Sequence, residues 1–250
     1  MKSLVIANWK ANPATLAGAK KLLFEIKKGL GKKLNVDIIV CPPFVFLPGL
    51  NKITGKNIKL GSQDVFWKEG AFTGQVSAKM LKDVGCKYVI VGHSERRAIG
   101  ETNKRINQKI KACLAEKITP ILCVGETNGE KETGKTFRIL RNQIKEGLES
   151  ISRNQVGKIV IAYEPVWAIS TTSNRKNCDF EDALGIQILI RKIILETYNR
   201  PISKKIRIIF GGNVRSNNIL GYIKEARMEG ALVGGASLDS KEFIAILKKF

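Results

Sequence analysis

The chain has 250 residues, 44% of them hydrophobic, and 43 lysines and arginines against 22 acidic residues give a formal net charge of +21. This apolar content is enough for one large core, but no apolar run is long enough to cross a membrane and Met1–Trp9 is too short for a signal peptide. The five cysteines, an odd number without Cys-x-x-Cys or Cys/His ligand spacing, argue against structural zinc and predict reduced thiols in a cytoplasmic protein.

Short apolar runs alternate with longer helical patterns from one end of the chain to the other. The short runs are nearly continuous in apolar residues, as is typical of parallel strands that are buried on both faces. The sequence predicts eight strands, at Leu4–Trp9, Val36–Cys41, Ile58–Gln63, Tyr88–Gly92, Pro120–Gly125, Lys158–Tyr163, Ile206–Phe210 and Ala231–Gly234.

Two of the segments between the strands show the periodicity of helices with one apolar face. A long loop after the sixth strand is expected to end at a helix that starts near Asp179. Ser216 and Asp239 are predicted to be the N-caps of the last two helices. The apolar faces consist of Leu22, Leu23, Ile26 and Leu30 in one segment and Ile186, Leu189, Ile190, Ile193 and Ile194 in the other.

Eight strand–helix units within 250 residues predict the α/β class and a closed (β/α)8 barrel. Residues 1–250 contain no linker, low-complexity tract or domain break, so we expect a single domain. The pattern alone leaves a doubly wound open sheet as the alternative architecture.

Polar residues with catalytic potential directly follow several predicted strands, and a barrel gathers such strand ends on one rim. Asn8 and Lys10 follow the first strand, the chain's only histidine, His93, follows the fourth, and Glu164 follows the sixth. A carboxylate base and a neutral histidine on one rim are what proton abstraction next to a carbonyl requires.

These residues lie within seven segments that resemble the triosephosphate isomerase family, in the family's order and across essentially the whole chain. The resemblance implies a TIM barrel that interconverts dihydroxyacetone phosphate and glyceraldehyde 3-phosphate through an enediolate, in glycolysis and gluconeogenesis, with no metal or organic cofactor. The segments are Asn8–Lys10, Gly70–Gly74, Val91–Arg97, Cys123–Glu126, Ala162–Ile169, Gly211–Val214 and Leu232–Leu238.

The resemblance also implies a role for each residue on the rim. Glu164 would be the general base, His93 a neutral imidazole that hydrogen-bonds the substrate oxygens, Lys10 the cation beside them and Asn8 a further donor. Ser94–Arg97 looks like a helix start, whose dipole would keep the imidazole neutral. This family is the standard example of such pKa tuning, so the neutral histidine is carried over from it.

Other residues of the matching segments would support the chemistry or bind the substrate phosphate. Glu95 would lie close to Lys10, while Glu126 and Arg97 would act as structural support. Glycines let the backbone approach an anion closely, and a helix N-terminus favours negative charge. The candidate substrate-binding residues, besides Asn8 and Lys10, are Ser170, Gly212, Asn213, Gly234 and Gly235.

The loop after Glu164 resembles the family's lid only in its first half. Residues 170–178 replace the usual Gly-Thr-Gly-Lys type of sequence and make the loop longer. Phe210 and Asn213 stand where the family usually has tyrosine and serine, whose hydroxyls hold the closed lid. We therefore expect altered lid closure with retained chemistry. The predicted lid residues are Pro165, Val166, Trp167, Ala168, Ile169, Ser170, Thr171 and Thr172.

The segment Gln63–Ser77 resembles the family's interface loop. Its aromatic side chains Phe66, Trp67 and Phe72 would be costly to leave in water. A homodimer is therefore predicted, with a tetramer left open. The alternative is a loop that folds onto its own barrel. The predicted interface residues are Gln63, Phe72 and Thr73.

Three other functions remain as alternatives. The changed lid would suit a phosphate-binding barrel that acts on a larger sugar phosphate. The charge of +21 would suit a nucleic-acid partner, but the lysines are spread over most helices without interleaved aromatics, which favours a solvated surface. A catalytically inactive relative is disfavoured because every expected catalytic residue is present.

Overall fold

The computed structural model describes residues 2–30, 35–169 and 176–250, and its eight parallel strands form a closed barrel. Each strand pairs with the next in the chain, and β8 pairs with β1. The predicted closed barrel is therefore confirmed, and the open sheet is excluded. The strands are β1 (Ser3–Asn8), β2 (Val36–Cys41), β3 (Ile58–Ser62), β4 (Tyr88–Val91), β5 (Thr119–Val124), β6 (Val160–Tyr163), β7 (Arg207–Phe210) and β8 (Gly230–Val233).

The α-helices of the described residues follow the strands in the order that the barrel requires. Three short 3₁₀-helices, Phe44–Phe46, Val166–Ala168 and Gly235–Leu238, lie in the loops after β2, β6 and β8. The α-helices are α1 (Leu16–Gly29), α2 (Leu47–Thr54), α3 (Ala78–Asp83), α4 (Ser94–Ala98), α5 (Asn103–Ala115), α6 (Asn128–Glu132), α7 (Thr136–Gly147), α8 (Arg153–Val156), α9 (Phe180–Thr197), α10 (Arg200–Lys205), α11 (Ile219–Lys224) and α12 (Ser240–Leu247).

The strands are mostly apolar because two separate cores bury their two faces. Leu4 and Ile6 of β1 belong to a cluster inside the barrel, whereas Val5 and Ala7 pack in the layer between strands and helices. Successive side chains of a strand point to opposite faces, so both sets must be apolar. Polar side chains inside the strands are few: half-buried Asp37 of β2 lies 3.7 Å from exposed Lys59 of β3.

The helices use the apolar faces that their periodicity predicts. Helix α1 buries Leu22, Leu23 and Ile26, while Leu30 lies just beyond the helix as its C-cap. In α9 the buried face includes Ile190, Ile193 and Ile194, and Ile186 and Leu189 are partly buried against the same core. Packing of these faces against the strands holds the barrel closed.

Two of the three expected helix starts are confirmed, and one is wrong. Asp179 caps α9 by accepting the Asp182 N–H at 2.7 Å, and Asp239 caps α12. Ser216 does not cap α11, because Glu242 binds both its N–H, at 2.7 Å, and its hydroxyl, at 3.1 Å. The helix starts three residues later, at Ile219.

The five cysteines are free and buried. In the part of the chain that the structure describes, no helix has both the length and the apolar character that a membrane crossing needs. The same residues contain no group of three histidine, cysteine or acidic side chains that could hold a metal ion.

Candidate active site

Glu164 and His93 meet on the rim at the carboxyl ends of β6 and β4. The Glu164 side chain is buried, and its Oε1 lies 3.2 Å from Nε2 of His93. Its other oxygen accepts the backbone N–H of Ser94 at 3.1 Å. Two donors at the start of α4 thus hold the carboxylate, which places a candidate base beside a candidate electrophile.

The imidazole of His93 has a defined tautomer because His93 is the N-cap of α4. Its Nδ1 accepts the backbone N–H of Glu95 at 3.2 Å. A backbone N–H can only donate, so Nδ1 carries no proton and the ring proton of the neutral form lies on Nε2. The predicted helix start at Ser94 is confirmed. Its geometry directs the Nε2–H toward Glu164 and the interior of the rim.

Lys10 follows β1 in a backbone conformation that is unusual for a residue other than glycine, with φ of 53°. Its N–H donates to the Asn8 side chain at 3.1 Å, and its carbonyl accepts from the Gln63 amide at 2.8 Å. The Nζ of Lys10 lies 2.5 Å from Glu95 Oε1, as the resemblance implies. Backbone strain of this kind persists only where surrounding contacts enforce it, which is common in active sites.

Gln63 is the residue whose role in the site the sequence did not reveal. Its amide donates to the carbonyls of Lys10 and Cys41, both at 2.8 Å. It therefore connects the ends of β1 and β2 and holds the Lys10 backbone. The available signal was its position, as the first polar side chain after β3 on the same rim.

Five of these residues, but not Glu164, line a cavity of about 350 Å³. Asn8, Lys10, Gln63, His93 and Glu95 all contribute to its lining. Lys10 contacts Glu95, Glu95 Oε2 lies 3.7 Å from His93 Nδ1, and His93 contacts the buried base. The structure thus brings together all the residues that the sequence assigned to proton transfer.

Glu126 follows β5 and forms hydrogen bonds with the segment that follows Glu164. One of its oxygens accepts hydrogen bonds from Tyr163 at 3.0 Å and from the Trp167 indole at 2.9 Å, and its carbonyl accepts the Val166 N–H at 3.1 Å. Burial raises the pKa of the Glu126 carboxyl, and the two side-chain hydrogen bonds offset this only in part. These contacts fit the predicted supporting role.

Arg97 ties together the ends of two strands beneath His93. Its guanidinium donates to the carbonyls of Gly92 at 2.8 Å and Cys123 at 3.1 Å, and to the Asn103 side chain at 2.6 Å. Burial lowers the pKa of this guanidinium, and nearby acidic groups act in the opposite direction. These contacts join chain segments to one another, and the supporting role of Arg97 stays a prediction.

Two glycines after β7 permit close approaches that a larger residue would prevent. A Cβ atom at Gly211 would lie 2.7 Å from Cγ of Glu164, and one at Gly212 would lie 2.6 Å from the Phe210 ring. Both distances are shorter than van der Waals contact. The glycine pair therefore lets the loop after β7 lie directly against the candidate base.

The predicted phosphate-binding residues that follow β7 and β8 also lie on this rim. Gly234 directly precedes the 3₁₀-helix Gly235–Leu238, and a Cβ at Gly235 would meet no atom of the described residues within 4 Å. Among described residues, the backbone N–H groups of Gly212, Asn213, Gly234 and Gly235 donate to no protein acceptor. Such donors suit an anion.

The first half of the predicted lid is well packed, and the chain returns to it at Lys176. Pro165 and Ile169 flank the 3₁₀-helix Val166–Ala168. The backbone N–H of Lys176 donates to the Trp167 carbonyl at 3.1 Å. The expectations for Ser170, Thr171 and Thr172 lie outside the described residues.

Comparison with known proteins decides the family. The family model for triosephosphate isomerase matches residues 3–250. The triosephosphate isomerase of Dictyoglomus thermophilum is 46% identical over 252 residues, which cover 99% of both chains. Those of Dictyoglomus turgidum and Endomicrobium trichonymphae are 45% and 43% identical over 99% of this chain, and the matches cover 99% and 98% of those proteins. The chain belongs to the triosephosphate isomerase family.

Membership of the triosephosphate isomerase family confirms the resemblance drawn from the seven segments, and the closed barrel agrees with it. The segment predicted as the family's interface loop has its aromatic rings in contact with one another. The centroids of Phe66 and Trp67 lie 4.1 Å apart, and those of Phe66 and Phe72 lie 4.8 Å apart. Phe72 remains 40% exposed, and Thr73 is exposed as well.

Proposed function

We propose that this chain is a triosephosphate isomerase that interconverts dihydroxyacetone phosphate and glyceraldehyde 3-phosphate. The observation that carries the proposal is the buried Glu164 carboxylate, 3.2 Å from the Nε2 of a histidine whose other nitrogen accepts a backbone N–H. The match to the family over residues 3–250 supports it. An isomerase of this kind acts in glycolysis and gluconeogenesis.

The proposed reaction moves one proton between neighbouring carbons. Glu164 removes the proton from the carbon beside the substrate carbonyl, and the electron pair of that C–H bond moves into the enediolate. The Nε2–H of His93 and the cation of Lys10 stabilise the developing negative charge, with Asn8 as a further donor. Glu164 then returns the proton to the other carbon, while the proton of the neighbouring substrate hydroxyl passes to the former carbonyl oxygen beside Nε2 of His93.

Binding and release of the substrate are assigned to the backbone of the rim. The backbone N–H groups of Gly212, Asn213, Gly234 and Gly235 would receive the phosphate, and Ser170 is a further proposed contact. The base, the electrophile and the cation all come from the chain, so the proposed mechanism needs no metal or organic cofactor.

We also propose that lid closure is altered in this chain. Phe210 is fully buried and has no hydroxyl to hold a closed lid. An incompletely covered enediolate can lose its phosphate: the C–O bond breaks, phosphate leaves with the electron pair, and methylglyoxal remains. We expect more methylglyoxal per turnover than in a family member with the usual lid. An equal yield would contradict the proposal.

A homodimer is proposed from the segment Gln63–Ser77. The ring cluster of Phe66, Trp67 and Phe72 leaves Phe72 40% exposed at its tip, and Thr73 beside it would be a contact residue. Burial of these side chains against a second copy would remove apolar surface from water. Light scattering of the purified chain would give the mass and separate a dimer from a monomer or tetramer.

A cytoplasmic location is proposed from the state of the cysteines. All five are free and buried, which is typical of proteins kept in a reducing compartment. Cell fractionation with a tagged chain would test this location.

A coupled assay on glyceraldehyde 3-phosphate tests the activity, with Glu164→Gln and Glu164→Asp beside the unmodified protein. The glutamine variant keeps the shape of the side chain but removes the base, so we expect a loss of roughly 100- to 10,000-fold. Absence of turnover in the folded, unmodified chain would contradict the proposal. Larger sugar phosphates would then be assayed next.

A further inference from the structure

Three aromatic rings pack together near the C-terminal end of the lid segment, which comprises residues 165–178. Phe210 of β7 stacks on Tyr222 of α11, with centroids 3.8 Å apart and planes 15° apart. Phe180, the first residue of α9, meets Tyr222 edge-on at 4.9 Å. A Cβ atom at Gly221 would lie 2.2 Å from the Phe180 ring, so glycine is required for this packing.

The hydroxyl of Tyr222 extends from this cluster to the backbone where the lid segment ends. It donates to the carbonyl of Cys178 at 2.7 Å, and both residues are only 4% exposed. Burial raises the pKa of the phenol, so the group remains a donor. Asp179, the next residue, caps α9 through its side chain, which fixes the chain direction immediately after Cys178.

Only one ring of the stacked pair carries a hydroxyl group. Phe210 supplies a flat ring but no hydroxyl, and Tyr222 supplies both a ring and the only hydroxyl of the three. The start of the lid segment is held separately, by Glu126 through Val166 and Trp167. The two ends of the segment therefore have separate side-chain attachments, one on α11 and one after β5, and the backbone hydrogen bond from Lys176 to the Trp167 carbonyl joins the ends.

We propose that Tyr222 is a positioning residue that anchors the C-terminal end of the lid through the Cys178 carbonyl. In this chain α11 thereby supplies the hydroxyl that β7 lacks at Phe210. The consequence for catalysis rests on the proposed isomerase function, because an anchored end limits how far the lid can move away from the enediolate. The anchor itself is a property of the fold and can be measured without turnover.

The test compares two tyrosines that make the same kind of contact. Tyr222→Phe keeps the stacked ring and removes only the hydroxyl. Tyr198→Phe is the matched control, because the Tyr198 hydroxyl donates to the Leu148 carbonyl at 2.9 Å, at the other end of α9. Alkylation of each cysteine, followed by mass spectrometry at fixed pH, reports local opening, since the buried thiol of Cys178 reacts only when its surroundings open.

Tyr222→Phe is expected to increase the alkylation rate of Cys178 by about 2- to 12-fold, the range that the net stabilisation of one hydrogen bond gives. Tyr198→Phe should leave the Cys178 rate unchanged, and neither variant should change the rates of Cys41 or Cys123 within the barrel. An unchanged Cys178 rate in Tyr222→Phe, or an equal increase in both variants, would overturn the anchor.

The catalytic consequence has its own measurement. If the anchor limits lid movement, Tyr222→Phe should form about 2- to 12-fold more methylglyoxal per turnover, whereas Tyr198→Phe should match the unmodified chain. An equal methylglyoxal yield in the two variants would refute the link to catalysis. An unmodified chain without isomerase activity would refute the proposed function, and the Cys178 rates would still decide the anchor.

Discussion

The proton-transfer residues and the lid share one rim, but they are held in place by different kinds of contact. His93 and Glu164 are fixed largely by backbone groups at the start of α4. The ends of the lid segment combine backbone hydrogen bonds with side-chain hydrogen bonds, to Glu126 at the start and from Tyr222 near the end. Backbone contacts persist as long as the barrel forms, whereas side-chain contacts depend on individual residues. This difference explains how the lid can diverge while the site remains intact.

After the Glu164 variants, removal of the His93 imidazole is expected to have the largest effect on the better-fixed region. His93→Gln loses the Nε2 donor to the substrate oxygens, so kcat should fall about 100- to 1,000-fold. It also removes the cap of α4, which should cost about 0.5–2 kcal/mol of stability. Steady-state kinetics and urea unfolding would measure the two effects.

Thr102→Ala is the matched control for the lost cap, since Thr102 caps α5 by accepting the Arg105 N–H at 3.3 Å. It should reduce the free energy of unfolding by a similar amount and leave kcat unchanged. If both variants lost activity equally, cap loss rather than chemistry would explain the effect of His93→Gln.

Addition of one methyl group beside the base is expected to have the next largest effect. The Cβ of Gly211→Ala would lie 2.7 Å from Glu164 Cγ, so the carboxylate must move. A displacement on the order of 1 Å costs up to about 100-fold in rate. We expect kcat to fall by about 10- to 100-fold.

Gly129→Ala controls for the backbone change in Gly211→Ala. Gly129 lies in α6, and a Cβ there would meet nothing within 4 Å. Helix propensity predicts stabilisation of up to about 1 kcal/mol with unchanged kcat. Full activity in Gly211→Ala would show that the loop after β7 shifts to accommodate the added methyl group without displacing Glu164.

A smaller effect is expected from Gln63, which acts on Lys10 only through the backbone. Gln63→Leu leaves the carbonyl of Lys10 without its donor, which costs about 1–3 kcal/mol, whereas the Cys41 carbonyl still accepts the Trp9 N–H at 3.1 Å. Because the Lys10 conformation is strained, we expect it to relax and kcat/KM to fall by roughly 10-fold. Kinetics and unfolding should be measured on the same preparation.

Asn107→Leu provides the matched control for Gln63→Leu. The Asn107 amide also donates to two carbonyls, of Gly147 at 3.0 Å and Glu149 at 2.9 Å, away from the rim. It should lose at least as much stability, without a specific loss of kcat/KM. A Gln63→Leu variant with normal kinetics would show that Lys10 keeps its position without the amide.

The sequence predicted the barrel and the proton-transfer residues because both depend on local patterns. Apolar runs identify the strands, and a polar residue directly after a run must lie on the rim. Contacts between distant residues were not predictable in this way. The amide of Gln63 reaches Lys10 across 53 positions and the phenol of Tyr222 reaches Cys178 across 44, and neither spacing carries a local signal.

The error at Ser216 has the same origin. A serine near a helix start normally caps it, but here Glu242, 26 positions away, binds both its N–H and its hydroxyl. The single-domain boundary at residues 1–250, the homodimer and the roles of the individual site residues stay predictions that the proposed experiments address.

The smallest expected effect is a pH dependence of stability at the start of the lid. Burial raises the pKa of Glu126 above its ordinary value of 4.5, so the folded chain binds this proton more tightly than the unfolded chain does. The resulting stabilisation is fully present below pH 4.5 and is lost as pH rises through the folded-state pKa. Glu126→Gln removes the titration and keeps an oxygen acceptor for Tyr163 and Trp167. The unfolding free energy of Glu126→Gln, relative to the unmodified chain, should therefore increase with pH above 4.5.

Glu116→Gln should give the opposite dependence. The hydrogen bond from Lys82 lowers the pKa of Glu116, so its contribution to stability is present at neutral pH and is lost as pH falls toward and below the ordinary value. Urea unfolding of both variants between pH 4 and pH 8, as differences from the unmodified chain, would separate the two signs. A difference for Glu126→Gln that stays flat, or that decreases as pH rises, would mean that the hydrogen bonds from Tyr163 and Trp167 outweigh burial. The start of the lid would then be held by a fully ionised carboxylate, and its attachment would be stronger at neutral pH than the burial of Glu126 implies.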